Sequence, residues 1–271
     1  MCYNKQNTIS QKERKYLMPS RHDVTHFSQH LWRNMNIRIY GETGWPLLVF
    51  PTQDSMCDNF ENFGMIDELS DYIDNGQFQL FCVDSVDQES WSDTYGDKVL
   101  RAERQENYYR YMIDEVLPLI HEWNRSDRRP LTTGCSMGGT HAAILFLRRP
   151  DLFEGVIGLS GCYDAHYFFG AWMNNTLYDN SPATFLPNLP EGHPYINLYN
   201  QRAIVFCVGQ GAWEDEGIRT THILDDALRA KGISAWCDFW GYDVNHDWPW
   251  WKKMYRYFLP HIVQHCQAHG L

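Results

Sequence analysis

The stretch Leu131-Thr132-Thr133-Gly134-Cys135-Ser136-Met137-Gly138-Gly139-Thr140-His141-Ala142-Ala143 constrains the fold more than any other. It reads as a short strand, a turn with glycine on both sides of a serine, and a helix. Gly134-Cys135-Ser136-Met137-Gly138 fits Gly-x-Ser-x-Gly, in which the serine sits on a sharp strand-to-helix bend with its hydroxyl raised above the sheet. A side chain at either glycine would collide with the neighbouring strand or helix. Gly138, Gly139, Ala142 and Ala143 are small enough for the helix to lie close to the sheet. Ile144, Leu145, Phe146 and Leu147 continue it, and Pro150 lies just past its expected end. Ser136 is therefore the expected nucleophile. Cys135 is its rival, but the bend puts Ser136 at the apex.

The rest of the chain alternates strand and helix patterns. Paired strands are expected over Phe27 to Tyr40, and buried strands at Pro46–Phe50, Gln79–Val83, Gly155–Ser160, Ala203–Val208 and Ser234–Trp240. Helical spacing runs from Phe60 to Asn75, from about Arg101 to Trp123 with a kink at Pro118, from Gly217 to Lys231, and from Trp248 to His265. Such alternation predicts an α/β architecture, a mostly parallel sheet with helices on both faces. One domain is expected over 27–271, after a polar lead-in at 1–26. The segment 161–200, rich in aromatics, asparagine and proline, reads equally as a cap over the bend or as a packed cover for the sheet edge.

Hydrophobic residues make up 44% of the chain, enough for a substantial core. The formal charge of −11 comes without basic clusters, so neither nucleic acid nor an anionic membrane is an expected partner. No apolar run approaches the ~18 residues of a membrane span. The eight cysteines are scattered without Cys-x-x-Cys, and residues 1–7 lack the apolar core of a secretory signal. Reduced thiols and a cytoplasmic location follow as expectations. There is no phosphate-binding glycine loop, no His-Glu-x-x-His and no evident Cys/His ligand pair, so no cofactor and no metal is expected.

Ser136 needs a base, and His246 is the expected one among twelve histidines. It lies in Gly241-Tyr242-Asp243-Val244-Asn245-His246-Asp247-Trp248, a polar loop between the last strand and the last helix. His141, on the helix after the bend, is a weaker rival. A third group must hold the imidazole in its useful tautomer. The loop Gly209-Gln210-Gly211-Ala212-Trp213-Glu214-Asp215-Glu216 offers three carboxylates in a row. Glu214 is preferred, with Asp215 second and Asp164 third. Asp247 reads as a helix cap. Two backbone N–H groups should hold an oxyanion. One belongs to Met137, and the other to the loop after Pro46–Phe50, where Gln53 is preferred over Thr52 and Pro51 has no N–H to give. Tyr163, His166 and Trp213 are the candidate pocket residues, and His193 could also touch substrate.

With these residues assembled, the chain resembles the α/β-hydrolase superfamily, and within it the serine esterases of the esterase D and feruloyl-esterase type. The matching segments are Pro46–Gln53, Gly134–Gly139, Pro150–Gly161, the acidic loop 209–215 and Gly241–Trp251. The resemblance implies an α/β-hydrolase fold without cofactor and acyl transfer on a small-molecule ester, with a homo-oligomer compatible. It departs at two places. Pro51-Thr52 stands where such esterases usually carry His-Gly, which leaves the second oxyanion donor open, and Cys135 stands where histidine is common. Eleven tryptophans and the aromatic segment could equally make a recognition surface. A non-catalytic binding module, or a thioesterase or peptidase on the same scaffold, is the alternative.

Overall fold

The computed structural model describes residues 19–270. The strands are β1 (Arg21–Ser28), β2 (Arg33–Tyr40), β3 (Trp45–Phe50), β4 (Phe78–Val83), β5 (Leu131–Cys135), β6 (Gly155–Leu159), β7 (Ala203–Val208) and β8 (Trp236–Phe239). They form one sheet in the order β1-β2-β4-β3-β5-β6-β7-β8. The β1–β2 and β2–β4 pairs are antiparallel, and the remaining pairs are parallel. The central strands β3 to β7 are buried throughout, as their continuous apolar runs require.

β1 begins ahead of the expected domain boundary at 27; the first part of the expected lead-in lies outside the described residues. Its inward face carries His22, Val24 and His26 while the other face meets solvent. Half-polar alternation on an edge strand leaves little hydrophobic signal to read.

Helices cover both faces: α1 (Asn59–Asn62), α2 (Met65–Glu68), α3 (Ser70–Asp74), α4 (Lys98–Tyr111), α5 (Leu117–Asn124), α6 (Met137–Arg148), α7 (His166–Phe169), α8 (Asn175–Asp179), α9 (Pro182–Phe185), α10 (Pro194–Tyr199), α11 (Asp215–Ala230) and α12 (Trp248–Ala268). The single helix expected over 60–75 is instead α1 to α3. Gly64 takes φ +67° and ends the first turn, and Leu69 departs from helical geometry before α3. The long helix kinked at Pro118 is α4 and α5, joined by a π-helical turn at Met112–Val116. Pro118 has no N–H to continue the i→i−4 ladder, so the extra residue per turn falls just before it.

The sheet separates two cores. Leu48 and Phe50 of β3, with Phe81 and Val83 of β4, face α4, α5, α6 and the 161–200 segment. Leu47, Val49, Leu80 and Cys82 face α1 to α3 and α12. The two-residue period of strand side chains makes this division. Among the described residues all seven cysteines are free, and no helix is long and apolar enough to cross a membrane.

Candidate active site

The bend between β5 and α6 places Ser136 at φ +57°, a left-handed conformation unusual for a residue with a side chain. It is held because Ser136 N–H donates to the carbonyl of Leu159 on β6 at 2.8 Å. The flanking glycines are obligatory. A Cβ at Gly134 would lie 2.4 Å from the Gly138 carbonyl carbon, and one at Gly138 would lie 2.4 Å from the Phe50 carbonyl oxygen.

The loop after β8 carries His246 over this bend. Its Nε2 lies 2.9 Å from Ser136 Oγ, and its Nδ1 lies 3.0 Å from Glu214 Oε2. Ser136, His246 and Glu214 are thus brought into one hydrogen-bonded line from three loops far apart in sequence. The His246 loop is fixed to the acidic loop by His246 N–H to the Ala212 carbonyl at 3.0 Å and by Ala212 N–H to Asn245 Oδ1 at 2.8 Å. Its imidazole packs edge-on against Trp251, 4.9 Å between centroids.

Glu214 is fully buried. Its second oxygen accepts from Ser160 Oγ at 2.6 Å and from the Gly209 N–H at 3.4 Å. Ser160 Oγ in turn accepts from Trp251 Nε1 at 3.0 Å. Ser160 also takes a positive φ, +52°. Ser160 and Trp251 were not singled out from the sequence, although both lie in the segments that carry the family resemblance. Asp215, the alternate acid, is exposed on the first turn of α11. Asp164 is turned elsewhere: it pairs with Arg219 at 2.8 Å and His166 at 2.8 Å. Burial alone would raise its carboxyl, but the hydrogen bonds from Arg219 and His166 outweigh that and hold it below the usual range. Asp247 caps α12 through Trp248 N–H.

The N–H of Met137 opens α6, and the N–H of Gln53 lies in the loop after β3. Among the described residues neither meets a hydrogen-bond acceptor. The Thr52 N–H, by contrast, is taken by Asn59 Oδ1 at 3.0 Å. Cys135 is fully buried, and burial pushes its thiol well above the ordinary range. His141 is fully buried too, its Nε2 2.8 Å from Asp87 Oδ1.

A cavity of about 220 Å³ opens on Ser136, Met137, Gln53 and His246. Its walls include Cys162, Tyr167, Phe168, Trp213 and Glu216. Trp213 belongs to the expected pocket, 87% exposed and at φ +68°. Tyr163 does not: its ring is fully buried against Phe206, because the chain turns into the core after Gly161. His166 also falls outside the walls, held back by Asp164. His193 serves as the cap of α10 instead. Tyr167 and Phe168, one and two residues past His166, take the wall positions, a phase that a four-residue helix such as α7 makes hard to read in advance.

A model of the Esterase family matches residues 28–257. The chain belongs to this family. It is accordingly an ester hydrolase by family and an α/β-hydrolase by fold. No curated protein matches the sequence. Among solved structures, a ferulic acid esterase superposes with TM-score 0.70 at 17% identity, covering 92% of this chain and 98% of its own. An S-formylglutathione hydrolase from Agrobacterium tumefaciens gives TM-score 0.68 at 14% identity, covering 92% and 95%. The fluorophosphonate-binding serine hydrolase F of Staphylococcus aureus gives 0.63 at 16%, covering 90% and 98%. At these identities the likeness speaks for the shared fold.

Proposed function

We propose that this Esterase-family chain is a serine carboxylesterase acting through an acyl-enzyme on a small-molecule ester. The observation that carries the reading is the continuous line Ser136 Oγ, His246 Nε2, His246 Nδ1, Glu214 Oε2, with links of 2.9 and 3.0 Å. His246 takes the proton as Ser136 Oγ attacks the ester carbonyl. The N–H groups of Met137 and Gln53 receive the oxyanion. The tetrahedral intermediate collapses, the alcohol leaves with the proton from His246, and water attacks the acyl-enzyme by the same steps in reverse. Glu214 holds the ring with Nδ1–H toward itself and stabilises the imidazolium. The cavity volume suits a short acyl group, with Phe168 and Trp213 as its apolar walls. The free thiols among the described residues fit a reducing compartment such as the cytoplasm.

A fluorophosphonate probe with p-nitrophenyl acetate turnover tests this. Wild type is expected to be labelled at Ser136 and to turn over the ester, and Ser136→Ala to lose both, with kcat down by roughly 10⁶-fold. A well-folded wild type that neither labels nor hydrolyses would instead make the chain a binding module on this scaffold.

A further inference from the structure

We propose that Glu154, His265 and His269 bind one zinc-class divalent cation at the end of the sheet opposite Ser136. The two histidines are four residues apart at the C-terminal end of α12, so the helix stacks their side chains on one face. Their ring centroids lie 4.2 Å apart. His269 Nδ1 donates to the carbonyl of His265 at 2.8 Å. That bond fixes the tautomer of His269 and leaves the Nε2 lone pair free, as a ligating histidine requires.

The third group is a carboxylate from another element. Glu154 directly precedes β6 and is 1% exposed. Its Oε1 lies 3.0 Å from His265 Nε2. Its Oε2 faces Arg129 Nε at 2.9 Å and Arg202 Nη1 at 3.8 Å. The arginines thus orient the carboxylate from the oxygen that does not face the histidines. One ligand atom from each of the three residues can be chosen so that all lie within 4.8 Å of one another.

Zinc bonds of about 2.0–2.2 Å in tetrahedral geometry ask for ligand atoms about 3.4 Å apart. The His265–Glu154 pair, at 3.0 Å, needs only a few tenths of an ångström of opening, and exposed His269 at the helix end supplies the remaining movement. On binding, the hydrogen of His265 shifts to Nδ1 and Nε2 takes the metal, with no change in charge. Two imidazoles and one carboxylate with a fourth position open to water suit zinc better than the oxygen-seeking calcium or magnesium. The nearby charges of Arg129 and Arg202 lower the affinity relative to an uncompensated carboxylate. The length of β6 separates Glu154 from Ser160 and the Glu214 cluster, so the metal would brace α12 against the sheet without reaching the cavity. Glu154 lies more than a hundred residues from His265, so no local ligand pattern in the chain marks the site.

Zinc chloride titration of the full chain, after chelator treatment, tests this by native mass spectrometry and thermal melting. Wild type should bind one zinc per chain with micromolar affinity. Its Tm should rise by about 5 °C at a hundredfold excess over Kd. His269→Ala, an exposed substitution at a helix end, should fold normally, lose at least about tenfold in affinity, and at the same zinc concentration lose at least about half of the Tm rise. Absence of zinc from wild type, or equal binding by His269→Ala, would overturn the assignment.

Discussion

Glu214, Asp215 and Glu216 are neighbours in sequence and differ in where their charge goes. Asp215 meets water, Glu216 meets Arg219 at 2.9 Å, and Glu214 is sealed under the His246 loop. A buried carboxylate carries a desolvation cost of several kcal/mol, offset here by Ser160, the Gly209 N–H and His246. Glu214→Gln keeps the shape and removes the charge. It is expected to lower kcat by roughly 10³–10⁴-fold, because the amide can present N–H to Nδ1 and favour the wrong tautomer. Asp215→Asn should stay within about twofold of wild type, since exposed carboxylates contribute little. Steady-state kinetics on p-nitrophenyl acetate separates the two, and a larger loss for Asp215→Asn than for Glu214→Gln would reverse the choice of acid.

The element that most needs support is the loop after β3, because under the proposed mechanism the Gln53 N–H must meet the oxyanion without help from a helix or strand. Its neighbour, the loop after β4, supplies that support. Asp54, at φ +60°, donates its N–H to Asp87 Oδ2 at 3.3 Å, and Ser85 Oγ donates to the Ser55 carbonyl at 2.9 Å. Gln53 Nε2 donates to Ser92 Oγ at 2.7 Å. Asp87 is itself fixed by His141 from α6 at 2.8 Å, both side chains fully buried. One pair thus ties the helix that follows Ser136 to the loop that carries Gln53. Loss of a whole oxyanion donor costs about 10²–10³ in rate, so misplacement of one by Asp87→Asn is expected to cost roughly tenfold. The loss should fall on kcat with KM nearly unchanged. A matching loss of affinity for a trifluoromethyl ketone, which mimics the oxyanion, would distinguish positioning from general destabilisation.

Across the whole molecule, the 161–200 segment is clasped to the body. Arg101 donates to the carbonyls of Ser90 at 2.7 Å and Phe168 at 3.2 Å and lies 4.1 Å above the Phe169 ring. Arg148 of α6 reaches Glu106 of α4 with both nitrogens, at 2.8 and 3.1 Å, and Asn180 joins them at 2.9 Å. Burial alone would raise the Glu106 carboxyl, but the hydrogen bonds from Arg148 and Asn180 and the arginine charges outweigh it, leaving it below the ordinary 4.5. A folded-state value below the unfolded one stabilises the native chain above the unfolded value, and that stability fades as the pH falls through the folded value. Thermal melts between pH 7 and about pH 3 should therefore show a shallower acid loss for Glu106→Gln than for wild type. Parallel curves would sink this account.

The order of strands and helices, the sharp bend at Ser136 and membership of an esterase branch were legible in the chain itself. Each rests on local chemistry: apolar runs, glycines where Cβ has no room, and turn residues at fixed offsets. His246 and Glu214 could be singled out because they fall in loops that follow strands, on the edge of the sheet that also carries the bend. Only tertiary packing decided what depends on distant partners. It turned Tyr163 into the core, put Tyr167 and Phe168 on the cavity wall, buried Ser160 and Trp251 behind Glu214, and set Glu154 beside two histidines at the far end of the chain. Those placements depend on contacts between residues tens to more than a hundred positions apart, and periodicity along a chain carries no record of them.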